Sequence, residues 1–326
     1  MLALTNKPDM GARLYAVILA LSTDSRRGVD GMKLIQHIAG VMVETALVFD
    51  NPDEALFTSL GRLQLSLNDT GVTGPLPAHI LPPSNIIDLE TERGRHAARM
   101  FFEEWMDCAF EFDVLFNAIV HNAIMGWEEA GQPRAESLRL LIECATKAMG
   151  YEIAAQELCD LAIDEKIGRC GWTIADCMAA LSAVAGRRLA LSLSTDSCMV
   201  FRGPDIPENL DHIVHVMTQE AVRLGVPAGG SWRFGLPAND MPLNAPYDLI
   251  QGIEPYCKSF FRAIRMNDLG DQAVACAKAA GRMIAVAAGG ASPDIEPAIA
   301  KPLAMAAITE TYKSVCMMHE AMEYTT

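Results

Sequence analysis

Along almost the whole chain, apolar residues return every third or fourth position, and runs that alternate polar with apolar are nearly absent. That pattern belongs to amphipathic helices rather than strands. The spacing predicts helices near 9–24, 30–49, 52–67, 86–130, 134–149, 151–167, 173–191, 207–224, 255–266, 269–288 and 303–323. Start and stop signals agree with several of them. Asn51-Pro52-Asp53-Glu54 supplies a cap, a proline at the first helical position and acids in the first turn, and Asn244-Ala245-Pro246-Tyr247-Asp248 reads the same way. Gly289-Gly290 is placed to end a helix through a left-handed cap. Pro297 and Pro302 should delay the last long helix to about residue 303.

Leu189 to Phe201 is the least helical of these stretches, because RRLALSLSTDSCMVF has an alternating face that also suits a short strand. The pentapeptide LSTDS occurs at 21–25 and again at 193–197, but the flanks do not follow at that offset, so the echo reads as coincidence rather than a repeat. The fold expected is all-α, a multi-helix bundle or irregular helical array. Between Asn68 and Ser84 the chain carries Pro75, Pro77, Pro82 and Pro83, which favour extended backbone. This segment either separates an N-terminal helical unit, 1–67, from a main helical domain, 86–326, or crosses the surface of one continuous bundle.

Composition narrows the setting. Of the 326 residues, 51% are apolar and 21% charged, enough to bury a large core or two smaller ones. The longest apolar runs, such as Ala16 to Leu21 and Met283 to Ala288, fall far short of the roughly 20 residues of a membrane helix. The amino end lacks the pattern of a signal peptide, so no membrane association and a cytoplasmic location are expected. Forty-one acidic against 26 basic residues give a charge of −15, which repels phosphate backbones and excludes nucleic acid as the expected partner. Nine cysteines never form C-x-x-C and sit mostly in apolar helical patterns, which predicts reduced, buried thiols acting as small hydrophobes.

Four stretches carry candidate chemistry. From Arg99 to Glu128, Phe101, Trp105, Phe112, Phe116 and Ile119 fall within roughly 60° on one side of a helix, with Glu103, Glu104, Asp107, Glu111 and His121 broadly opposite. An aromatic core side and a solvated acidic side are expected, and no E-x-x-H motif points to a di-iron bundle. Glu208, His212, His215 and Gln219 form a stripe at spacings of four, three and four residues, suited in principle to a divalent metal. Leu210, Ile213, Met217 and Leu224 mark the opposite side as core, so both histidines are expected in solvent. Cys316-Met317-Met318-His319 and Met322 offer soft donors that cannot converge from one helix, so core methionines with a peripheral histidine are expected. Neither a metal nor a cofactor is therefore expected. A catalytic triad assembled from distant residues stays open, with no means in the sequence of choosing its members.

The remaining place is GGSWRFGLPANDMP, Gly229 to Pro242, where Trp232, Arg233 and Phe234 sit among glycines and prolines. Such residues are enriched where proteins grip one another. They serve as binding residues of a recognition loop, as plugs capping a bundle end, or as a lid. The expected function is a cytoplasmic helical interaction protein, such as an adaptor, chaperone-like factor, inhibitor or immunity-type binder. Its partner would be another protein, a basic one fitting the acidic surface, or a second copy. The alternative is a helical enzyme or small-molecule-binding protein with an aromatic-lined cavity between helices.

Overall fold

The computed structural model describes residues 10–24, 28–47, 52–71, 84–104, 112–129, 131, 133–193, 207–228, 246–289 and 294–323, apart from some side chains near the ends of these segments. The architecture is all-α, with almost no strand. Two compact units make up the chain, Met1–Gly150 and Tyr151–Thr326. Residues 72–83 of the proline-rich stretch lie outside the described ones.

The first unit contains α1 (Met10–Leu21), the strands β1 (Thr23–Asp24) and β2 (Gly28–Val29), α2 (Gly31–Leu47), α3 (Pro52–Asn68), α4 (Ser84–Glu104), α5 (Phe112–Glu129) and the start of α6 (Arg134–Leu161). α2 is its central helix, because every residue from Leu34 to Ala46 is buried, and a helix apolar all round has to be surrounded. It packs on α1, α3, α4 and α5. Asp30 starts it: Oδ1 accepts from the backbone N–H of Met32 at 3.0 Å and of Lys33 at 3.2 Å, as an N-cap does.

Two glycines govern how closely α2 and α4 meet. A Cβ placed on Gly40 would stand 2.0 Å from the Thr91 carbonyl oxygen, and one on Gly94 would stand 2.1 Å from the His37 carbonyl oxygen. The helices therefore touch backbone to backbone, and the polar side chains beside the glycines reach across the seam. Arg95 Nε donates to Glu44 Oε2 at 2.9 Å and Arg99 pairs with Glu44 at 3.2 Å, while Arg95 Nη1 donates within α4 to Glu92 Oε1 at 3.0 Å.

The second unit holds the rest of α6, a π-helical turn at Ala162–Ile167, α7 (Gly168–Cys170), α8 (Ile174–Ser192), α9 (Glu208–Arg223), α10 (Pro246–Ala263), α11 (Leu269–Ala288) and α12 (Pro297–Glu323). α8 is buried over nearly its whole length and packs on α9, α10, α11 and α12. It starts with a capping box: Thr173 Oγ1 accepts from Asp176 N at 3.0 Å, and Asp176 Oδ2 accepts from Thr173 N at 2.9 Å. Gly171, at φ 70°, makes the left-handed turn just before it. Three helices are tied by charge. Glu152 of α6 accepts from Lys278 at 3.0 Å and from Arg282 at 2.6 Å, both on α11, while Glu220 of α9 accepts from Arg282 and Arg223, each at 2.9 Å.

Several sequence expectations change. Of the stretch 86–130, α4 and α5 cover the described parts and 105–111 lie outside the described residues, while the two helices expected at 134–149 and 151–167 join as α6 and its π turn. α10 begins at Pro246 and runs through Pro255, and α12 begins at Pro297 and runs through Pro302. Proline inside a helix costs about 3 kcal/mol. Here it is offset by burial on both sides, with Leu249, Ile253, Cys257 and Phe261 along α10 and Ile299, Leu303, Ile308 and Tyr312 along α12. Gly289 does end α11, but in extended backbone at φ −80°, not through a left-handed cap. α1 stops at Leu21 and the chain turns into the small β1–β2 hairpin, where helix was expected up to residue 24. α8 covers the start of the ambiguous 189–201 stretch, and residues 194–201 lie outside the described ones.

The glycine seam can be tested by equilibrium urea denaturation. Alanine exceeds glycine in helix propensity by about 0.8–1 kcal/mol, and Gly61 of α3 has open space around it, so Gly61→Ala should stabilise by up to about that amount. Gly40→Ala should instead destabilise by about 1–3 kcal/mol, because a backbone carbonyl cannot move aside as a side chain can. Equal effects at the two positions would refute the close crossing.

Candidate functional site

Where α1 ends, the chain makes one residue of turn, Ser22, before β1. Asp30 N donates to Ser22 O at 2.8 Å and closes the base of the hairpin. β1 and β2 pair antiparallel, Thr23 opposite Val29 and Asp24 opposite Gly28. Beside them lies a cavity of about 420 Å³, whose lining includes Leu21 and Val29 as apolar residues and Ser22, Asp24, Asp30 and Lys33 as polar ones. Carboxylates and an ammonium thus share a space of the size that holds a small molecule.

Ser22 also begins a chain of hydrogen bonds. Its Oγ lies 2.8 Å from His37 Nδ1, and His37 Nε2 lies 2.8 Å from Glu90 Oε2. All three are buried, Ser22 and His37 at 1% exposure and Glu90 at 4%. The members come from the end of α1, the middle of α2 and the first half of α4. His37 and Glu90 meet because the Gly94 contact falls on the backbone of His37 itself. Arg93 Nη1 donates to Glu90 Oε1 at 2.7 Å, and Lys33 Nζ stands 3.9 Å from the same oxygen.

Burial by itself would raise the Glu90 carboxyl, but the hydrogen bond from His37 and the charge of Arg93 outweigh it and hold the group below its ordinary value of 4.5. An ionised carboxylate only accepts, so the proton between the two groups sits on Nε2. In the neutral imidazole, Nδ1 then accepts the Ser22 hydroxyl proton. In the imidazolium, Nδ1 donates to Ser22 Oγ, and the hydroxyl donates to Ile18 O at 2.8 Å. Both arrangements leave every polar atom of this Ser22–His37–Glu90 chain hydrogen-bonded.

The residues singled out from the sequence are placed differently. Trp232, Arg233 and Phe234 lie outside the described residues, as does Trp105, and so do the side chains of Phe112 and Phe116. Phe101 and Phe102 meet edge to face in the core with Ile119, while Glu103, Glu104 and His121 face solvent, as an amphipathic split requires. The expectation that both histidines of the 208–219 stripe look outward fails: Glu208 and His215 are exposed, but His212 is buried. Its position beside Ile213 on a helix gripped by both α8 and α11 widens the buried face beyond the apolar stripe. Among the described residues, no three His, Cys, Asp or Glu side chains are placed to share a metal. Met317 and Met318 are exposed at 51% and 62%, not core, and His319 and Met322 carry undescribed side chains.

The cysteines are corrected at two positions. Cys170 is exposed and Cys316 is disulfide-bonded, whereas Cys144, Cys159, Cys177, Cys257 and Cys276 are buried thiols. Burial pushes the Cys159 thiol up to about 11 and Cys177 to about 12, far from the lowered values of nucleophilic cysteines. No known family model, curated protein or solved structure matches the chain.

Because the folded-state Glu90 carboxyl lies below 4.5, its contribution to stability is complete above that pH and drains away as pH falls through and below it. Urea midpoints measured for wild type and Glu90→Gln from pH 7 down to about pH 3 should converge on acidification, wild type losing more. Parallel curves would show that Glu90 is not held ionised by His37 and Arg93.

Proposed function

We propose that the chain is a helical small-molecule-binding protein whose hairpin cavity receives a ligand carrying both an amine and a carbonyl or carboxylate group. The observation that supports this reading is a cavity of about 420 Å³ whose lining includes Ser22, the first member of a buried Ser22–His37–Glu90 chain of hydrogen bonds. Buried polar chains demand complete pairing and are costly when any link is lost. Asp24 and Asp30 suit an ammonium, Lys33 suits a carboxylate or carbonyl oxygen, and Leu21 and Val29 cover the ligand's apolar part. The aromatic cavity expected from the sequence has no part in this proposal, since Phe101 and Phe102 are packed in the core.

A thermal-shift panel of free amino acids, their amides and their methyl esters tests the reading. A ligand present at about 100 times its Kd stabilises by about 2.7 kcal/mol, enough for a clear rise in melting temperature. At least one class should raise the wild-type midpoint, and the rise should shrink in Lys33→Ala. A panel that moves nothing would end the proposal.

A second reading, the interaction protein, is favoured by α1. Its inner face buries Leu14 and Ile18, yet Ala16, Val17, Ala20 and Leu21 are exposed on the other side, and Val29 of the hairpin continues that surface with 44% exposure. A helix apolar on both sides is a poor solvent-facing helix. Sedimentation tests whether a second copy covers it: wild type should exceed the 35.3 kDa of one chain, and Val17→Lys/Leu21→Lys should fall back to it. No helix among the described residues is long and apolar enough to cross a membrane. The cytoplasmic setting belongs to this second reading and rests on the buried thiols of Cys159, Cys177, Cys257 and Cys276. The disulfide at Cys316 weighs the other way, because such bonds persist mainly in oxidising compartments.

A further inference from the structure

We propose that Ser22 is a nucleophile, activated by His37 and Glu90, that accepts the acyl group of an amine-bearing ester or thioester bound in the hairpin cavity. This rests on the cavity reading above and adds chemistry to it. A nucleophilic hydroxyl requires a base within hydrogen-bond reach and a third group that orients the base. Here Ser22 Oγ and Glu90 Oε2 stand 2.8 Å from opposite ring nitrogens of one imidazole, and Ser22 is also part of the cavity lining. The order of the ring nitrogens, Nδ1 to the hydroxyl and Nε2 to the carboxylate, reverses the arrangement of the chymotrypsin-type triad but preserves its roles.

The step balances with water as the only co-reactant. Ser22 Oγ bonds to the carbonyl carbon while its proton passes to His37 Nδ1, and Glu90 stabilises the imidazolium through Nε2–H. Lys33 is the cation among the described lining residues that can offset the charge developing on the carbonyl oxygen. The bond from carbon to the alcohol or thiol then breaks, and that group leaves with the proton from Nδ1. Water, deprotonated by the same nitrogen, cleaves the acyl-serine, releases the carboxylic acid and restores the hydroxyl. Ser22 is 1% exposed, so acylation requires the chain around it to open. A ladder of only two residue pairs makes that inexpensive.

The experiment exposes the full chain to an alkyl fluorophosphonate, reads the intact mass and maps the adduct by peptide fragmentation, alongside the thermal-shift panel on the same preparation. One adduct is expected, on Ser22. It should be absent in Ser22→Ala, and its rate should fall about 10²–10⁴-fold in His37→Ala, the size of a lost general base. If His37→Ala fails to fold, Glu90→Gln serves, and it should slow labelling while keeping the helical circular-dichroism spectrum. Wild type that takes up no adduct, or takes one up elsewhere than Ser22, overturns the proposal without any variant. A thermal shift without labelling would remove the nucleophile and leave the binding reading standing. Labelling without a shift would remove the ligand class instead.

Discussion

The contact on which the first unit depends is between two helix backbones, where Gly40 of α2 lies on the Thr91 carbonyl and Gly94 of α4 lies on the His37 carbonyl. A methyl group at either position would overlap an oxygen that is already committed to helix geometry, so the approach exists only because both residues lack a Cβ. The close seam brings the short reach of His37 to Glu90 and the longer reach of Arg95 to Glu44 within hydrogen-bonding distance across it. Packing at this seam and chemistry at the relay are one arrangement. The residues that let the helices touch stand three positions after His37 and four after Glu90, one helical turn from the groups they bring together.

The second unit uses the same device with a different outcome. Gly186 of α8 lies on the Ile308 carbonyl of α12, and Gly281 of α11 lies on the Met217 carbonyl of α9. Around these points alanines and cysteines fill a core in which α8 is surrounded. The polar groups drawn inside are matched in charge: Glu152 and Glu220 are clamped by Lys278, Arg282 and Arg223, and Arg188 reaches Glu254 at 2.6 Å. Removing one member of such a set leaves a buried charge uncompensated, whereas the intact set mainly holds register. Lys166, on the π turn, is met by aromatic faces instead, 4.2 Å from the centre of Tyr256 and 5.1 Å from that of Trp172.

Little of the candidate site could be read in advance. Ser22, His37 and Glu90 are separated by 15 and 53 positions, and each sits in a stretch whose local pattern is ordinary. The first LSTDS carries no signal as a repeat, but Ser-Thr-Asp-Ser-Arg-Arg-Gly directly after an apolar run is the kind of cluster that ends a helix in a turn. The readable hint was the pair of glycines inside strong helical patterns at 40 and 94, since an interior glycine often marks a close approach. Which partner each glycine would meet was not encoded locally. His212 makes the same point from the other direction, for its neighbours at three- and four-residue spacing suggested a solvent face, yet α9 is covered more widely than its apolar stripe.

What the amino-acid order determined by itself was the helical state of the chain and the start of several helices, because periodicity of 3.6, caps at Thr173 and Asp30, and prolines at first positions act over one or two turns. It did not determine where prolines are tolerated inside α10 and α12, because that depends on burial supplied by other helices. Nor did it determine that a serine, a histidine and a glutamate from three elements share one line of hydrogen bonds. That was decided by the tertiary structure, since helix periodicity specifies which face is apolar but not which other face will cover it, and the backbone contact at Gly40 and Gly94 is what brings His37 within 2.8 Å of Glu90.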